Sequence, residues 1–531
     1  MMGKADITLH VSDHSFETKN SSHHHHPHMN KNIFRIAFGS CHKRKWALRH
    51  QQQQEQTKVK TTIWDIIQGN YPDMFLWIGD TVYPPKYGIA SREELEKEYY
   101  EMANNDTYGY STFHPPLGIY GTWDDHDYGA NDAGKELLDK SERRRLFWDF
   151  LKYPQELQSK LSIRDGLYHS IDIVFPNNNS SNTNGNNHPS TNTIKILVLD
   201  TRWNRDYHCI PSLSTKIPYL GNAISCVLRW IVAGTKRWSH SWLCSSSRTI
   251  LGQEQWEWLS HQLETSTAQF HILVSSIQVL STNPAMEGWG HFPQEQEKLL
   301  QLLYTWNMNQ PVSKTNSNNN RKKGGFILLS GDVHHAELIN PPGVSSFYEI
   351  TSSGLTHTCT MPFYGKLCEP LLKRYGSHRQ QHSSTYHGDT TSTKTNHDGN
   401  HNHNNNYYYL DRNFGTLDID WASEQWNVNI QDANGDIVLS TGWKSWCMYP
   451  DVSWSTLNDF IKAIPKTTND DLIPYVIGGM MVLIFILVSI LMLVFGRYLA
   501  PRTKSIRKEK KKKQKKDDSI VDDDRPKSKY D

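Results

Sequence analysis

Three things are scarce in this chain. Net charge is the first: 57 lysines and arginines stand against 55 aspartates and glutamates, which leaves +2 over 531 residues. So small a balance creates no global field that would argue for nucleic acid as a partner. An apolar export-type segment near the amino terminus is the second. Residues 1–32 carry His23 to His26 and His28 among polar neighbours, with no h-region, and read as a disordered, His-rich tail. Cysteine is the third. There are seven; Cys41 is set apart below, and Cys209, Cys226, Cys244, Cys359, Cys368 and Cys447 are enough for three disulfides, with buried free thiols as the alternative. Aromatics are plentiful by contrast: 18 tryptophans and 25 tyrosines can fill a large interior. Several stretches are too polar to fold, so one large catalytic domain with appendages fits better than several average domains.

Near the carboxyl end, Leu472 to Phe495 carries no charge and is apolar apart from Ser489 and one tyrosine. Such a run is long enough to cross a bilayer, and 472–495 is expected to be a single transmembrane helix. Lys510 to Lys513, with Lys515, Lys516 and several arginines, follow it. The positive-inside rule puts this tail, 496–531, in the cytosol, where it can also meet anionic lipid. The bulk of the chain then lies in a lumen or outside the cell. The missing h-region leaves a second arrangement open, a tail-anchored protein with a cytosolic domain. The cost of translocating so basic a tail favours the first.

Four apolar runs end in polar tips. Ile33 to Phe38 leads into Gly39-Ser40-Cys41-His42, and Met74 to Ile78 into Gly79-Asp80-Thr81-Val82-Tyr83. Leu117 to Trp123 leads into Asp124-Asp125-His126-Asp127, and Phe326 to Ser330 into Gly331-Asp332-Val333-His334. Short apolar runs bounded by turn signals read as buried parallel strands, and ligands gather at the carboxyl ends of such strands. Each tip has a plainer reading: an Asp after Gly can be a turn residue, and a Cys can be a small hydrophobe. Together they offer enough carboxylate, imidazole, thiol and phenol for two metal ions about 3.5–4 Å apart, a spacing that suits a phosphoryl group. Asp332 and His334, two apart on an extended segment, are expected to point to one side of it. A thiolate or phenolate ligand favours an ion such as Fe(III) over magnesium. The expected chemistry is attack on phosphorus by a metal-activated hydroxide.

The six motifs Phe38-Gly39-Ser40-Cys41, Gly79-Asp80-Thr81-Val82-Tyr83, Trp123 to Asp127, Leu199-Asp200-Thr201-Arg202, Leu251 to Leu259 and Ser330 to His334 occur in that order. In this the chain resembles the PhoD-like (alkaline phosphatase D-related) metallophosphoesterases from about Ile33 to Phe347. The resemblance implies a four-layer α/β/β/α sandwich that hydrolyses phosphate mono- or diesters. It implies a bridging ligand at Asp80, Cys41 and Tyr83 on an iron-like side, Asp125 as a further ligand, and Asp332 and His334 as the closing pair. It makes His126 the residue that protonates the leaving group or steadies the phosphate, and leaves Asp124 as either a ligand or the partner of one. Iron, calcium or both are the implied ions, with other divalent ions open.

The expected domain runs over 33–447, with low-complexity insertions near 177–193, 307–325 and 378–406, and a linker over 448–471 precedes the membrane span. Two other functions compete with a membrane-anchored phosphoesterase. One is the same fold acting as an inactive membrane-anchored binding or scaffold protein; the other is a hydrolase with Cys41 as nucleophile.

Overall fold

The computed structural model of the chain describes residues 6–11, 33–47, 61–84, 88–175, 192–217, 221–234, 247–281, 283, 285–309, 312–313, 321–322, 325–341, 348–360, 368–370, 372, 407–421, 423, 425–443 and 454–462. They fall in the first of two compact units, Met1–Pro465. The second unit, Lys466–Asp531, holds the expected span 472–495 and its tail and lies outside the described residues, as do 378–406 and most of 177–193 and 307–325. Among the described residues no helix is long and apolar enough to cross a membrane.

The strands in chain order are β1 (Ile7–His10), β2 (Ile33–Gly39), β3 (Met74–Ile78), β4 (Ile119–Thr122), β5 (His169–Phe175), β6 (Asn192–Val198), β7 (Phe270–Ser275), β8 (Val312–Ser313), β9 (Arg321–Lys322), β10 (Gly325–Ser330), β11 (Ala336–Ile339), β12 (Tyr348–Ser352), β13 (Tyr408–Tyr409), β14 (Asn413–Asp420), β15 (Gln425–Asp432) and β16 (Ile437–Trp443). Among the described residues they form an eight-stranded sheet, β1-β5-β6-β7-β10-β12-β11-β13, a six-stranded sheet, β16-β15-β14-β2-β3-β4, and the separate pair β8-β9. The fold is mixed α/β, and each large sheet has a parallel part: β2-β3-β4 at one end of the smaller sheet and β6-β7-β10-β12 in the middle of the larger.

Alternation along the strands decides what each face meets. Phe34 of β2 lies edge-on to Phe175 of β5 with ring centroids 5.0 Å apart, so the two sheets face each other. Ile36, Phe38, Leu417 and Val428 of the smaller sheet share one buried core with Ile171, Ile196, Ile272 and Leu329 of the larger. On the other face of β3, Phe75 and Trp77 meet Trp64 of the helix Ile63–Gly69 at 5.3 and 5.4 Å. On the outer face of the larger sheet, Leu197, Leu273 and Leu328 pack with Trp256 and Leu259 of Gln253–Glu264 and with Leu299 and Leu303 of Pro293–Met308. Helices thus cover the outer face of both sheets. Local signals fix where they start: Thr62 with Asp65, and Ser91 with Glu94 ahead of Arg92–Asn104, form reciprocal capping boxes.

Three expectations are corrected. Ile7–His10 is not disordered: it pairs in parallel with β5, and Asp6 accepts from Arg164 at 2.8 Å, so a short apolar alternation within a polar tail finds an open sheet edge. The expected linker contains the helix Trp454–Lys462, whose Leu457 is buried in the outer core. The six remaining cysteines do not make three disulfides. Cys359 bonds Cys368 and Cys209 is disulfide-bonded, but Cys226 is a free thiol on the helix Gly221–Gly234.

Asp73, just ahead of β3, yields a stability prediction. Its Oδ2 accepts from the Arg35 amide at 2.8 Å, yet burial outweighs that bond and raises its pKa to about 6. The folded chain then holds a proton that the unfolded chain has released. The stability this group confers is complete below about pH 4 and is lost as pH rises through about 6. Asp73→Asn can keep the amide bond and remove the titration. Its Tm relative to the native chain is expected to rise between pH 4 and 6.5, as scanning calorimetry would show.

Candidate metal centre

The site lies where the carboxyl ends of the parallel strands of both sheets meet. Cys41 follows β2, Asp80 follows β3, Asp124 and Asp125 follow β4, and Asp332 follows β10. The tips are bonded across the sheets. Ser276, beyond β7, donates to Asp124 Oδ1 at 2.6 Å, and Cys41 Sγ lies 3.1 Å from the hydroxyl of Ser353, beyond β12.

The backbone is bent to make this approach. Cys41, Asp80, Asp332 and His334 all have positive φ, of 61°, 49°, 73° and 61°. Such a conformation costs of order 1–3 kcal/mol for a residue with a side chain and persists where surrounding structure enforces it. Two glycines permit the closest contacts. A Cβ on Gly79, at φ 103°, would come 2.7 Å from Asp124 Cβ. One on Gly331 would come 2.5 Å from the Ile78 carbonyl oxygen and 2.6 Å from Ser40 Oγ. The Gly-Asp steps seen in the sequence therefore reflect contact between neighbouring tips as well as turn chemistry.

Four carboxylates converge. Asp80, Asp124, Asp125 and Asp332 each place an oxygen so that all four lie within 4.8 Å of one another, and His126 joins Asp80 and Asp125 on the same criterion. Asp80 is at the centre: its Oδ2 accepts from Tyr83 Oη at 2.5 Å and from Cys41 Sγ at 3.5 Å, and its Oδ1 from the His126 amide at 3.3 Å. Burial, followed by the charges of Asp125, Asp124 and Asp127, pushes Asp80 well above the usual carboxylate range. Burial raises Asp124 to about 7 despite Arg202, and Asp125 to about 6, again against Arg202. Asp332 is driven well up by burial and by Asp124. So many buried like charges call for a cation.

The residues present fit one or more metal ions. Among the described residues Asp124 Oδ2, Asp125 Oδ1 and His334 Nδ1 are buried without a hydrogen-bond partner, as lone pairs awaiting a ligand would be. Hard oxygens with one sulfur and a phenol form a donor set for hard or borderline ions. Cys41 is fully buried, and burial together with Asp80 pushes its thiol well above the ordinary range. Reactive nucleophilic cysteines sit in electropositive surroundings that lower the pKa, which is the opposite of this one.

Some expectations are refined. Asp332 and His334 do not sit on an extended segment. The chain after β10 turns through two left-handed residues, and His334 lies outside the four-carboxylate cluster; its ring centroid is 4.0 Å from that of His357 and 6.5 Å from that of Tyr83. Burial lowers His334 to about 3. Asp124 caps the short helix Asp125–Tyr128 instead of ending a strand. Asp124 Oδ1 is taken by Arg202 Nε at 2.6 Å and by Ser276, while Oδ2 points to no described partner, so both of its expected roles keep an atom. Asp127 accepts the amides of Thr81, Val82 and Asp124 at 3.0–3.1 Å and holds the Asp80 loop in place.

Sequence reasoning assigned no role to Ser353, Thr356, His357, Lys43 or Glu287. They come from loops without periodic pattern, and their place near the site is set by long-range packing. Glu287 accepts from Arg202 at 3.0 Å and is bound by Arg205 and His208. Burial pushes Glu287 up, and Arg202 and Arg205 outweigh it to leave the carboxyl below its ordinary value. Asp132, His208 and Glu287 converge in the same way as the site carboxylates. With Arg202, Arg205 and Arg229 around them they form an ion-pair network and offer a cation nothing.

Residues 191–430 match the sequence model of the PhoD-like phosphatase family. A stretch of 96 residues is 29% identical to alkaline phosphatase D of Bacillus subtilis (strain 168) and covers 17% of this chain and 14% of that relative. A solved structure of PhoD is similar with a TM-score of 0.39 at 15% identity, covering 78% of this chain and 70% of that one. The match to the PhoD-like phosphatase model takes in Arg202, Glu287, Asp332 and His334, whereas Cys41, Asp80, Tyr83 and the Asp124–His126 tip lie before it.

Proposed function

We propose that this PhoD-like phosphatase domain works as a metal-dependent phosphoesterase that hydrolyses phosphate mono- or diesters, on a four-layer α/β/β/α sandwich over 33–447. The observation that carries the reading is the convergence of Asp80, Asp124, Asp125 and Asp332 at the ends of parallel strands from both sheets. Asp80, Asp125 and Asp332 would hold the ions, with Cys41 and Tyr83 beside Asp80, His334 at the edge, and Asp124 contributing its open oxygen. Iron and calcium are the ions favoured by the resemblance, and other divalent ions suit the carboxylates equally. When bound, such ions supply Lewis-acid charge for phosphoryl oxygens and activation of water near neutral pH.

The chain's own residues supply position. Asp127 fixes the loop bearing Asp80, and Arg202 with Ser276 fixes Asp124. His126 has its backbone on Asp80 and its ring 4.0 Å from that of Tyr83. Burial, then Lys43 and Arg202, lowers its pKa to about 3, so in the metal-free chain it is a neutral imidazole able to donate one N–H to a phosphate or leaving-group oxygen. The apolar run 472–495 and the basic tail after it support a single-pass anchor, with the domain outside the cytosol and the tail within it. The tail-anchored arrangement with a cytosolic domain is the alternative, and the substrate is any phosphate ester that reaches the site.

The purified full-length chain is expected to hydrolyse 4-nitrophenyl phosphate or bis(4-nitrophenyl) phosphate, to lose that activity on chelation and to regain it on reloading. A folded, metal-loaded chain inert toward both esters would favour the scaffold reading. Activity that survives complete metal removal would return Cys41 to consideration as the nucleophile.

A further inference from the structure

Beside the carboxylate cluster stands a cation that, among the described residues, makes no direct ion pair and feels Asp80 only at a distance. Lys43, two residues past Cys41, places Nζ 5.3 Å from the ring centroid of Tyr83, the tyrosine whose hydroxyl bonds Asp80. Its main chain is held on both sides by one hydroxyl: the Lys43 amide donates to Thr356 Oγ1 at 2.6 Å, and Thr356 Oγ1 donates to the Lys43 carbonyl at 3.0 Å. The stem is half-buried. Its neighbour Arg44 is fully engaged, bonded to Glu98 at 2.8 and 3.0 Å and to Tyr108 at 3.1 Å. Among the described residues no carboxylate lies within 4.0 Å of Lys43 Nζ and no acceptor takes its protons.

A tethered ammonium with unused donors, on the same aromatic ring as His126 and His357, is well placed to receive an anion. The four converging site carboxylates would face bound ions, which leaves the Lys43 ammonium open to an anionic substrate. A phosphomonoester carries one more negative charge than a diester and has no second organic group on its oxygens, so it gains more from such a point charge. We propose that Lys43 binds a terminal phosphate oxygen and sets a preference for phosphomonoesters over diesters. The inference rests on the phosphoesterase reading of the same site.

The test uses the full-length, metal-loaded chain, native and as Lys43→Met and Lys43→Arg, with metal content checked by mass spectrometry. Binding of inorganic phosphate and of dimethyl phosphate is measured by calorimetry, and kcat/KM is measured for both nitrophenyl esters. Lys43→Met is expected to weaken phosphate at least ~10-fold and dimethyl phosphate at most ~3-fold, with Lys43→Arg recovering most of the loss. The ratio of monoester to diester kcat/KM should fall by a similar factor. Equal weakening of both anions, no weakening, or an unchanged kcat/KM ratio would overturn the inference and leave the phosphoesterase reading standing. Lys43-dependent phosphate binding in a chain that hydrolyses neither ester would do the reverse, sinking the enzyme and keeping the anion site.

Discussion

In chelator, Asp80→Asn is expected to melt higher than the native chain; with metal restored, it is expected to hydrolyse phosphate esters at least ~10²-fold more slowly, beyond the ~10–100-fold typical of residues that only orient a ligand. The two effects have one cause. Asp80 is 1% exposed, and its charge is opposed by burial and by Asp125, Asp124 and Asp127. Asparagine is isosteric, can still accept from Tyr83, and removes that opposition, so the metal-free fold gains stability. Each kcal/mol gained appears as about 2–4 °C in Tm. The same charge is what a cation needs at the centre of the cluster, so binding and turnover are lost. A residue retained for packing alone would give losses in both measurements. Differential scanning fluorimetry in EDTA beside steady-state kinetics separates the cases.

Arg202→Met is expected to lower stability by about 3–5 kcal/mol, which is the usual cost of removing one partner from a buried ion pair. Arg202 is fully buried and joins the site to the ion-pair network behind it. Its Nε lies 2.6 Å from Asp124 Oδ1, and its Nη1 and Nη2 lie 3.0 and 3.3 Å from the two oxygens of Glu287. Glu287 retains Arg205 and His208 after the change, whereas Asp124, among the described residues, retains the Ser276 hydroxyl and no cationic partner. Most of the cost therefore falls on Asp124, and adding Asp124→Asn to Arg202→Met should recover part of it. A coupling of at least ~1 kcal/mol in the double-mutant cycle, read from urea unfolding, is the expected result. Additive losses would mean that Arg202 contributes packing and not charge compensation.

Much of this was legible in the sequence because it is local. The runs before Cys41, Asp80, Asp124 and Asp332 are apolar, short and ended by glycine or acid, and each is a parallel strand that stops within a residue or two of the expected tip. The sandwich of two sheets is consistent with this, since strands covered on both faces lose the polar alternation of exposed ones. What the sequence could not convey is long-range. Nothing in the pattern places Ser353 against Cys41, Thr356 around Lys43, or Glu287 behind Arg202; their partners lie 312, 313 and 85 residues away along the chain. Positive φ at Asp332 and His334 was equally hidden, because it is imposed by the packing of neighbouring tips and not by the residues' own preferences. Ile7–His10 escaped notice for a related reason: four residues have no measurable periodicity until a sheet edge is available to them.

The account stands or falls on whether the carboxylates at the strand ends hold the ions that sustain hydrolysis. A titration of chelated, full-length chain with metal, following bound ions by native mass spectrometry and ester hydrolysis in the same samples, addresses this most directly. The predicted result is activity that rises with bound metal and saturates at about two ions per chain, with both signals lost in Asp80→Asn and in Asp332→Ala. Ester hydrolysis that is complete before any ion is bound, or metal uptake unchanged in both variants, would contradict it.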